Sequence, residues 1–135
     1  MKKLLIAVLL LTLVCSCAPQ PEIPAEPQWH EAFRDDAAVI CALPAQSADG
    51  GTVLHLRISC VGGEAIVLSS MLCVSAQDEY GGVVALASAQ GFDGAVMPGQ
   101  TRECTLVFAR AELDGCVVSL ALDYAAGRWI ALNLT

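Results

Sequence analysis

Val53-Leu54-His55-Leu56-Arg57-Ile58-Ser59-Cys60-Val61 lies between two glycine pairs, Gly50-Gly51 and Gly62-Gly63. Leu54, Leu56, Ile58 and Cys60 occupy every second position, with His55, Arg57 and Ser59 between them. A period of two sends alternate side chains to opposite faces of a strand. This segment therefore reads as a strand with one buried face and one wet face. The preceding Asp49-Gly50-Gly51 is a hairpin-type turn signal, since Asp and Gly tolerate the positive φ such turns require.

The same pattern recurs further along. Thr101 to Ala109 puts Cys104, Leu106 and Phe108 together, and Cys116 to Tyr124 does the same for Val118, Leu120, Leu122 and Tyr124. Ala126-Gly127 turns that second run onto Trp129 to Leu134. Ala37 to Leu43, Ala65 to Ala76 with a bend at Ser69-Ser70, and Val83 to Ala89 supply further strands. Turn signals separate them at Asp78 to Gly82, Gly91 to Gly94, Met97-Pro98-Gly99 and Asp114-Gly115. Trp29 to Phe33 reads as a helical or irregular lead-in, and Arg110 to Asp114 as one turn at most. There is no long amphipathic helix and no internal repeat. About seven short strands with regular turns predict an all-β sandwich or barrel, in which each strand keeps one face wet.

The chain has 135 residues, 56% hydrophobic and 16% charged, with a formal charge of −7. That suffices for one folded domain and one core. Lysine occurs only at Lys2 and Lys3, and their removal with a leader takes the charge to −9. An acidic surface argues against nucleic acid, where Lys and Arg on phosphates supply the affinity. It argues equally against adsorption to anionic head groups by charge alone.

Met1-Lys2-Lys3 followed by the apolar run Leu4 to Val14 has the layout of a signal peptide, and the run is too short to span a bilayer. Val14-Cys15-Ser16-Cys17 resembles the lipobox of bacterial lipoproteins. The resemblance implies cleavage after Ser16 and a diacylglyceryl thioether on Cys17. Two or three acyl chains hold a protein stably, whereas one does so marginally. Ala18 to Pro27 is rich in Pro and Glu, the composition of a semi-rigid spacer. The expected organisation is a signal peptide over 1–16, an anchored linker over 17–35 and a β-domain over 36–135. The expected address is the cell membrane, lipid-anchored on its extracytoplasmic face.

Val96-Met97-Pro98-Gly99-Gln100-Thr101 with Leu106-Val107-Phe108, followed by the strand Val117 to Tyr124, resembles the Pro-Gly-x-Thr…Leu-Val-Phe signature of bacterial extracellular immunoglobulin-like domains, as does Met71 to Gly81. The family includes domains of unknown function in lipoproteins and a secreted mycobacterial immunoprotective antigen. After Ile58 the chain departs from it, with Ser59-Cys60-Val61-Gly62-Gly63 replacing an Asn-containing hydrophilic turn. The resemblance implies an immunoglobulin-like β-sandwich of about seven strands and an extracytoplasmic location, and no catalytic residue. Its topology also implies pairings among the five cysteines beyond Cys15 and Cys17. Cys60 would meet Cys104 and Cys73 would meet Cys116, leaving Cys41 over. Five small buried thiols are the alternative.

Other candidate sites carry less. The cysteine spacing contains no Cys-x-x-Cys, so no zinc site is expected, and no cofactor. His30 and His55 are far apart, and His55 falls on the polar side of its strand. No Gly-x-Ser-x-Gly elbow and no Gly-x-x-x-x-Gly-Lys loop occur. Asp78-Glu79 and Asp93 lack the dense acidic spacing of a calcium loop and read as turn residues. Trp29 and Trp129 read either as core residues or as an aromatic platform for glycan or protein. The expectation is a non-catalytic, membrane-tethered binding module for an unidentified protein or glycan. A structural or accessory subunit of an envelope complex is the second reading; an enzyme, or a redox protein using Cys41, ranks behind both.

Overall fold

The computed structural model describes residues 28–69, 74–123 and 127–134, which form β-strands and connecting turns without a helix. β4 (Gly51–Cys60) is its longest element. Leu54, Leu56 and Ile58 are fully buried and Cys60 nearly so, whereas His55, Arg57 and Ser59 stay partly exposed. The period-two reading thus holds at every position. β4 pairs antiparallel with β9 (Thr101–Phe108) through eight consecutive partners, from Thr52 opposite Phe108 to Ser59 opposite Thr101. Cys104, Leu106 and Phe108 point inward beside the β4 leucines.

Around this pair lie β1 (His30–Arg34), β2 (Ala38–Ala42) and β7 (Leu86–Gln90), giving the order β1-β2-β4-β9-β7, with β3 (Gln46–Ala48) paired to the start of β4. A three-stranded sheet, β11-β10-β6, is built from β6 (Val74–Gln77), β10 (Val117–Asp123) and β11 (Arg128–Ala131). A ribbon of β5 (Ile66–Ser69) and β8 (Asp93–Val96) completes the fold. One core runs through all of them: Ile40, Leu56 and Phe108 share it with Leu68, Val118, Leu120 and Ile130. The architecture is all-β, antiparallel and sandwich-like.

Among the described residues eleven strands stand in place of the expected seven or so. β1 falls within the segment expected as linker, so strand structure begins at His30 rather than at Asp36. Its sequence hides it: only Ala32 is buried, and a register shift between Glu31 and Phe33 interrupts the alternation. β3 is wholly exposed and polar, held by the hairpin turn in which Asp49 and Gly50 both take positive φ, as that turn type demands. The run expected from Ala65 to Ala76 is represented by β5 and β6; residues 70–73 between them lie outside the described set.

The two open sides of the sandwich are closed by different means. On one side, β1 reaches from the large sheet to the chain following β11. Asn133 N donates to Ala32 O at 2.9 Å, and His30 Nε2 lies 3.3 Å from Asn133 O. Asp35 reinforces this seam: one carboxylate oxygen accepts from the N–H groups of Ala37 and Ala38, each at 2.8 Å, and the other pairs with Arg128 of β11. On the opposite side, Arg102 of β9 donates to the carbonyls of Gly91 at 3.4 Å and Ala95 at 3.0 Å, and also to that of Asp93. A guanidinium presents five donors in a fixed fork, so one side chain satisfies a strand edge that has no neighbouring strand. The crossover needs Gly91. A Cβ there would lie 2.6 Å from Glu103 O, and its φ is +83°.

The two ends of the sandwich also differ. β1 and β4 run in the same direction, so the chain enters from the end where Thr52 Oγ1 donates to Arg110 O and Ser47 Oγ donates to Ala111 O. At the far end, Cys60 N donates to Gln100 O, and Val61 and Gly62 N donate to Ala37 O. The loops there, 61–65 and 97–100, point away from the chain's entry.

Two predictions follow from these seams. Gly94 also has positive φ (+72°) but open space at its Cβ position. Gly94→Ala should therefore cost about 1–2 kcal/mol in urea denaturation, and Gly91→Ala at least about twice that, because it adds a backbone collision. The second concerns acid. Desolvation raises the Asp35 carboxyl, but the Ala38 and Ala37 N–H groups and Arg128 outweigh it and hold it below its ordinary 3.8. The Gly82 N–H, with help from Tyr80 N–H and Arg110, lowers Asp78 in the same way against desolvation. A depressed carboxylate stabilises the fold above its unfolded value and loses that contribution as pH falls through the folded one. Thermal midpoints should therefore be flat above about pH 5 and fall below about pH 4. Asp35→Asn should be less stable at neutral pH and show a shallower acid drop.

Candidate functional site

Three surfaces offer room for a partner. The first is an open groove of about 730 Å³ at the end where the chain enters, between the Pro44-Ala45 loop, the 111–116 loop and Leu132–Leu134. Glu112 and Asp114 make it acidic, and Cys116 sits at its wall. The second is the wet face of the large sheet. There the Arg57 guanidinium carbon stands 4.1 Å from the centroid of the Trp29 ring, while Arg57 also pairs with Glu103 at 2.9 Å. His55 and Thr105 lie 3.2 Å apart beside them, and Ser59 and Thr101 2.8 Å apart. Every polar group of that row is engaged with its cross-strand neighbour.

The third surface is the outer face of the β11-β10-β6 sheet. Val118, Leu120 and Ile130 point inward. Ser75, Gln77, Val117, Ser119 and Trp129 line a shallow depression of about 260 Å³ on the other face, whereas Ala121, opposite Trp129 in the ladder, is fully buried. Cross-strand pairing sets Ser119 between Ser75 and Ala131, and Val117 opposite Gln77. Trp129 is 43% exposed and Val117 51%. The two tryptophans therefore do not form one platform. Trp29 lies on the large sheet's wet face and Trp129 on the small sheet's outer face, and neither is a core residue.

The cysteines are arranged by register. β4 and β9 pair antiparallel as the immunoglobulin-like topology implies, but Cys104 stands opposite Leu56, four ladder positions from Cys60. At about 3.3 Å per residue that is about 13 Å along the strands, beyond the roughly 4.4–6.8 Å between Cα atoms that a disulfide spans. Both thiols are free: Cys60 Sγ donates to Glu64 O at 3.1 Å, and Cys104 Sγ lies 3.5 Å from Gly91 O. The expected Cys60–Cys104 bridge is thus replaced by two separate buried thiols. Cys116 is free and half-buried, and Cys73 lies outside the described residues, as does Cys17. Cys41 is a free, half-buried thiol on the wet face, opposite Arg57. Burial pushes the Cys104 thiol up to about 11, with Asp93 adding to the rise and Arg102 opposing it.

Asp78 is occupied by turn chemistry: Oδ1 accepts from Tyr80 N at 3.0 Å and Gly82 N at 2.7 Å, and Oδ2 pairs with Arg110. Among the described residues, no three His, Cys, Asp or Glu side chains gather as metal ligands. Periodicity in the sequence marked the buried faces but not the depression beside Trp129. Its signal was a run of small and polar residues at the outward positions of β6 and β10.

Native alkylation at pH 8 tests the thiol arrangement. Only about 0.1% of a thiol with a pKa near 11 is ionised there, and the thiolate is the reactive form. Cys41 and Cys116 should label first. Cys60 and Cys104 should label at least about a hundredfold more slowly, through transient opening, and all four should label in denaturant. A Cys60–Cys104 disulfide peptide in non-reducing digests would overturn the register. Comparison of this chain with family models, with curated proteins and with solved structures finds no match.

Proposed function

We propose that this chain is a lipid-anchored, extracytoplasmic binding module: an immunoglobulin-like sandwich tethered through Cys17 and without a catalytic role. The observation that carries the tether is Val14-Cys15-Ser16-Cys17 directly after a basic start and an apolar run, followed by a Pro- and Glu-rich spacer. Two acyl chains on the thioether glycerol supply stable membrane attachment.

The strand order supports the immunoglobulin-like reading. In that fold one sheet runs A-B-E-D and the other G-F-C. Here β2-β4-β9-β7 and β11-β10-β6 occupy the corresponding places. β1, β3 and the β5–β8 ribbon are additions. The disulfide between strands B and F and the tryptophan of strand C, frequent in antibody domains, have no counterpart. β4 and β10 meet the core with Leu54, Leu56, Ile58, Val118, Leu120 and Leu122 instead. A binding role follows from the layout. The chain enters at one end of the sandwich, which leaves the loops 61–65 and 97–100 and both outer sheet faces to a partner. A structural subunit of an envelope complex is the second reading, favoured by the exposed Val61, Val67 and Met97.

Detergent-phase partition of the full chain from a bacterial host tests the tether. The mature protein should enter the detergent phase with a mass matching a chain that begins at acylated Cys17. Cys17→Ala should move it to the aqueous phase or leave it as uncleaved precursor. Equal partition of both forms, or a mass without lipid, would refute the anchor.

A further inference from the structure

We infer that the outward face of the β5–β8 ribbon docks a basic, amphipathic segment of a partner protein. Val61, Val67, Ala95 and Met97 take its apolar side chains, and Glu64 and Asp93 take its lysines or arginines. This names a partner class for the end of the sandwich that carries the loops 61–65 and 97–100, and it rests on the binding-module reading for where that partner is met.

Register builds the face. Ile66, Leu68 and Val96 point into the core, so the side chains between them point out. Val67 stands opposite Ala95, and Met97 continues the Ala95 row just past the end of β8. Gly99 N donates to Cys60 O at 2.9 Å, which brings the Met97–Gln100 turn alongside Val61. Val67 is 62% exposed, Val61 53% and Met97 50%, so half or more of each residue is open to solvent. They are three of the seven large apolar residues exposed in the described structure, and they gather at the end away from the chain's entry. Single exposed apolar residues are ordinary, whereas a contiguous patch rimmed by polar groups marks an interaction site.

Charge selects the occupant. Glu64 and Asp93 are exposed and bound the apolar strip. Asp93 shares the outward side of β8 with Ala95, and lies four residues, or about 13 Å, from Met97. Cys60 Sγ donates to Glu64 O at 3.1 Å, which holds Glu64 at the tip beside the end of β4. Among the described residues neither carboxylate forms an ion pair. Arg102, the cation at this edge, is spent on the carbonyls of Gly91, Asp93 and Ala95. A segment with cations on either side of an aliphatic side chain supplies what the face leaves unmet. Residues i and i+4 of an extended chain lie on one side about 13 Å apart, the reach of the strip from Asp93 to Met97.

A second copy of this chain is the rival occupant. It would set Glu64 and Asp93 against the same two groups, and its five arginines are already engaged within their own domain. An anionic lipid surface meets the same repulsion. Strand addition at the edge of β8 is closed as well, because Arg102 covers its carbonyls. The partner segment therefore lies on the face of the ribbon and not along its edge.

The test uses the full chain in a nonionic detergent, with isotope-labelled methionine methyls and the probe peptide acetyl-Lys-Thr-Leu-Thr-Lys-amide. Met97→Leu, a volume-conserving change, identifies the Met97 methyl resonance by its loss. That resonance should shift with saturation as the peptide is added, with Kd on the order of 1 mM or tighter. Binding should weaken several-fold at about 1 M salt, where the Debye length falls to about 3 Å. Peptides with glutamate in place of both lysines, or serine in place of leucine, should leave the resonance unmoved. Val67→Thr should weaken binding a few-fold, and Glu64→Gln combined with Asp93→Asn by about tenfold. Glu112→Gln, at the opposite end of the sandwich, should not change it. If the double variant lowers the thermal midpoint sharply, Glu64→Gln alone and Val67→Thr carry the test. No saturable shift, an equal response to the glutamate peptide, equal weakening by Glu112→Gln, or a dimer in sedimentation that Val67→Thr disperses would each overturn the assignment. Detergent partition reads the tether separately: a chain left in the aqueous phase that still shifts its Met97 methyl loses the anchor and keeps the site, and the reverse pair of results does the opposite.

Discussion

The ladder between β4 and β9 is the constraint on which the remaining structure depends. Eight consecutive partners hold the two strands in one register. That register decides which side chains share the interior: Leu54, Leu56 and Ile58 from one strand, Cys104, Leu106 and Phe108 from the other. A slip of one residue would send all six to the solvent face, so burial itself pins the alignment. β2 and β7 then have only one way to add, each extending the same buried face. The opposing sheet contributes Val118, Leu120 and Ile130 to a core whose other wall is already set.

What the ladder leaves open, polar side chains close. A sandwich of short strands exposes backbone donors and acceptors along its sides, and such edges invite pairing with other chains. Here β1 is stitched to the chain beyond β11 on one side, and Arg102 covers the carbonyls of Gly91, Asp93 and Ala95 on the other. Asp35 and Arg128 join the sheets across the first seam. These contacts add modestly to stability, since exposed ion pairs contribute little. Their weight lies in removing edges.

The buried faces of β4, β9 and β10 were legible because each carries three or four large apolar residues or cysteines at period two, with His55, Arg57 and Ser59, Thr105, and Ser119 among the residues between them. The Asp49-Gly50 turn was legible because its residue types match its backbone. β1 was not: its signal is one buried alanine and a bulge. β3 was not either, since nothing in Gln46-Ser47-Ala48 is apolar enough to announce a strand, and the hairpin alone creates it. The Cys60–Cys104 pairing failed for a subtler reason. Topology specified which strands meet, but a disulfide needs the register as well, and register depends on where β9 begins. The turn through Pro98 and Gly99 returns the chain at Thr101, so Cys104 enters the ladder opposite Leu56 and not Cys60. The two tryptophans were visible in the sequence, but only the sheet order shows that they lie on different sheets.

All five arginines of the chain are engaged within the domain. Arg34 pairs with Glu31, Arg57 with Glu103, Arg110 with Asp78 and Arg128 with Asp35, and Arg102 is spent on carbonyls. Because lysine is absent from the rest of the chain, the outward electrostatic field comes from the remaining carboxylates. Copies held side by side on one surface would meet acid against acid, with no unpaired arginine among the described residues to bridge them. Their repulsion acts over a Debye length of about 8 Å at physiological salt. A crowded array of such molecules would space itself like a two-dimensional fluid of mutually repelling discs, each keeping its flanks open to whatever diffuses between them.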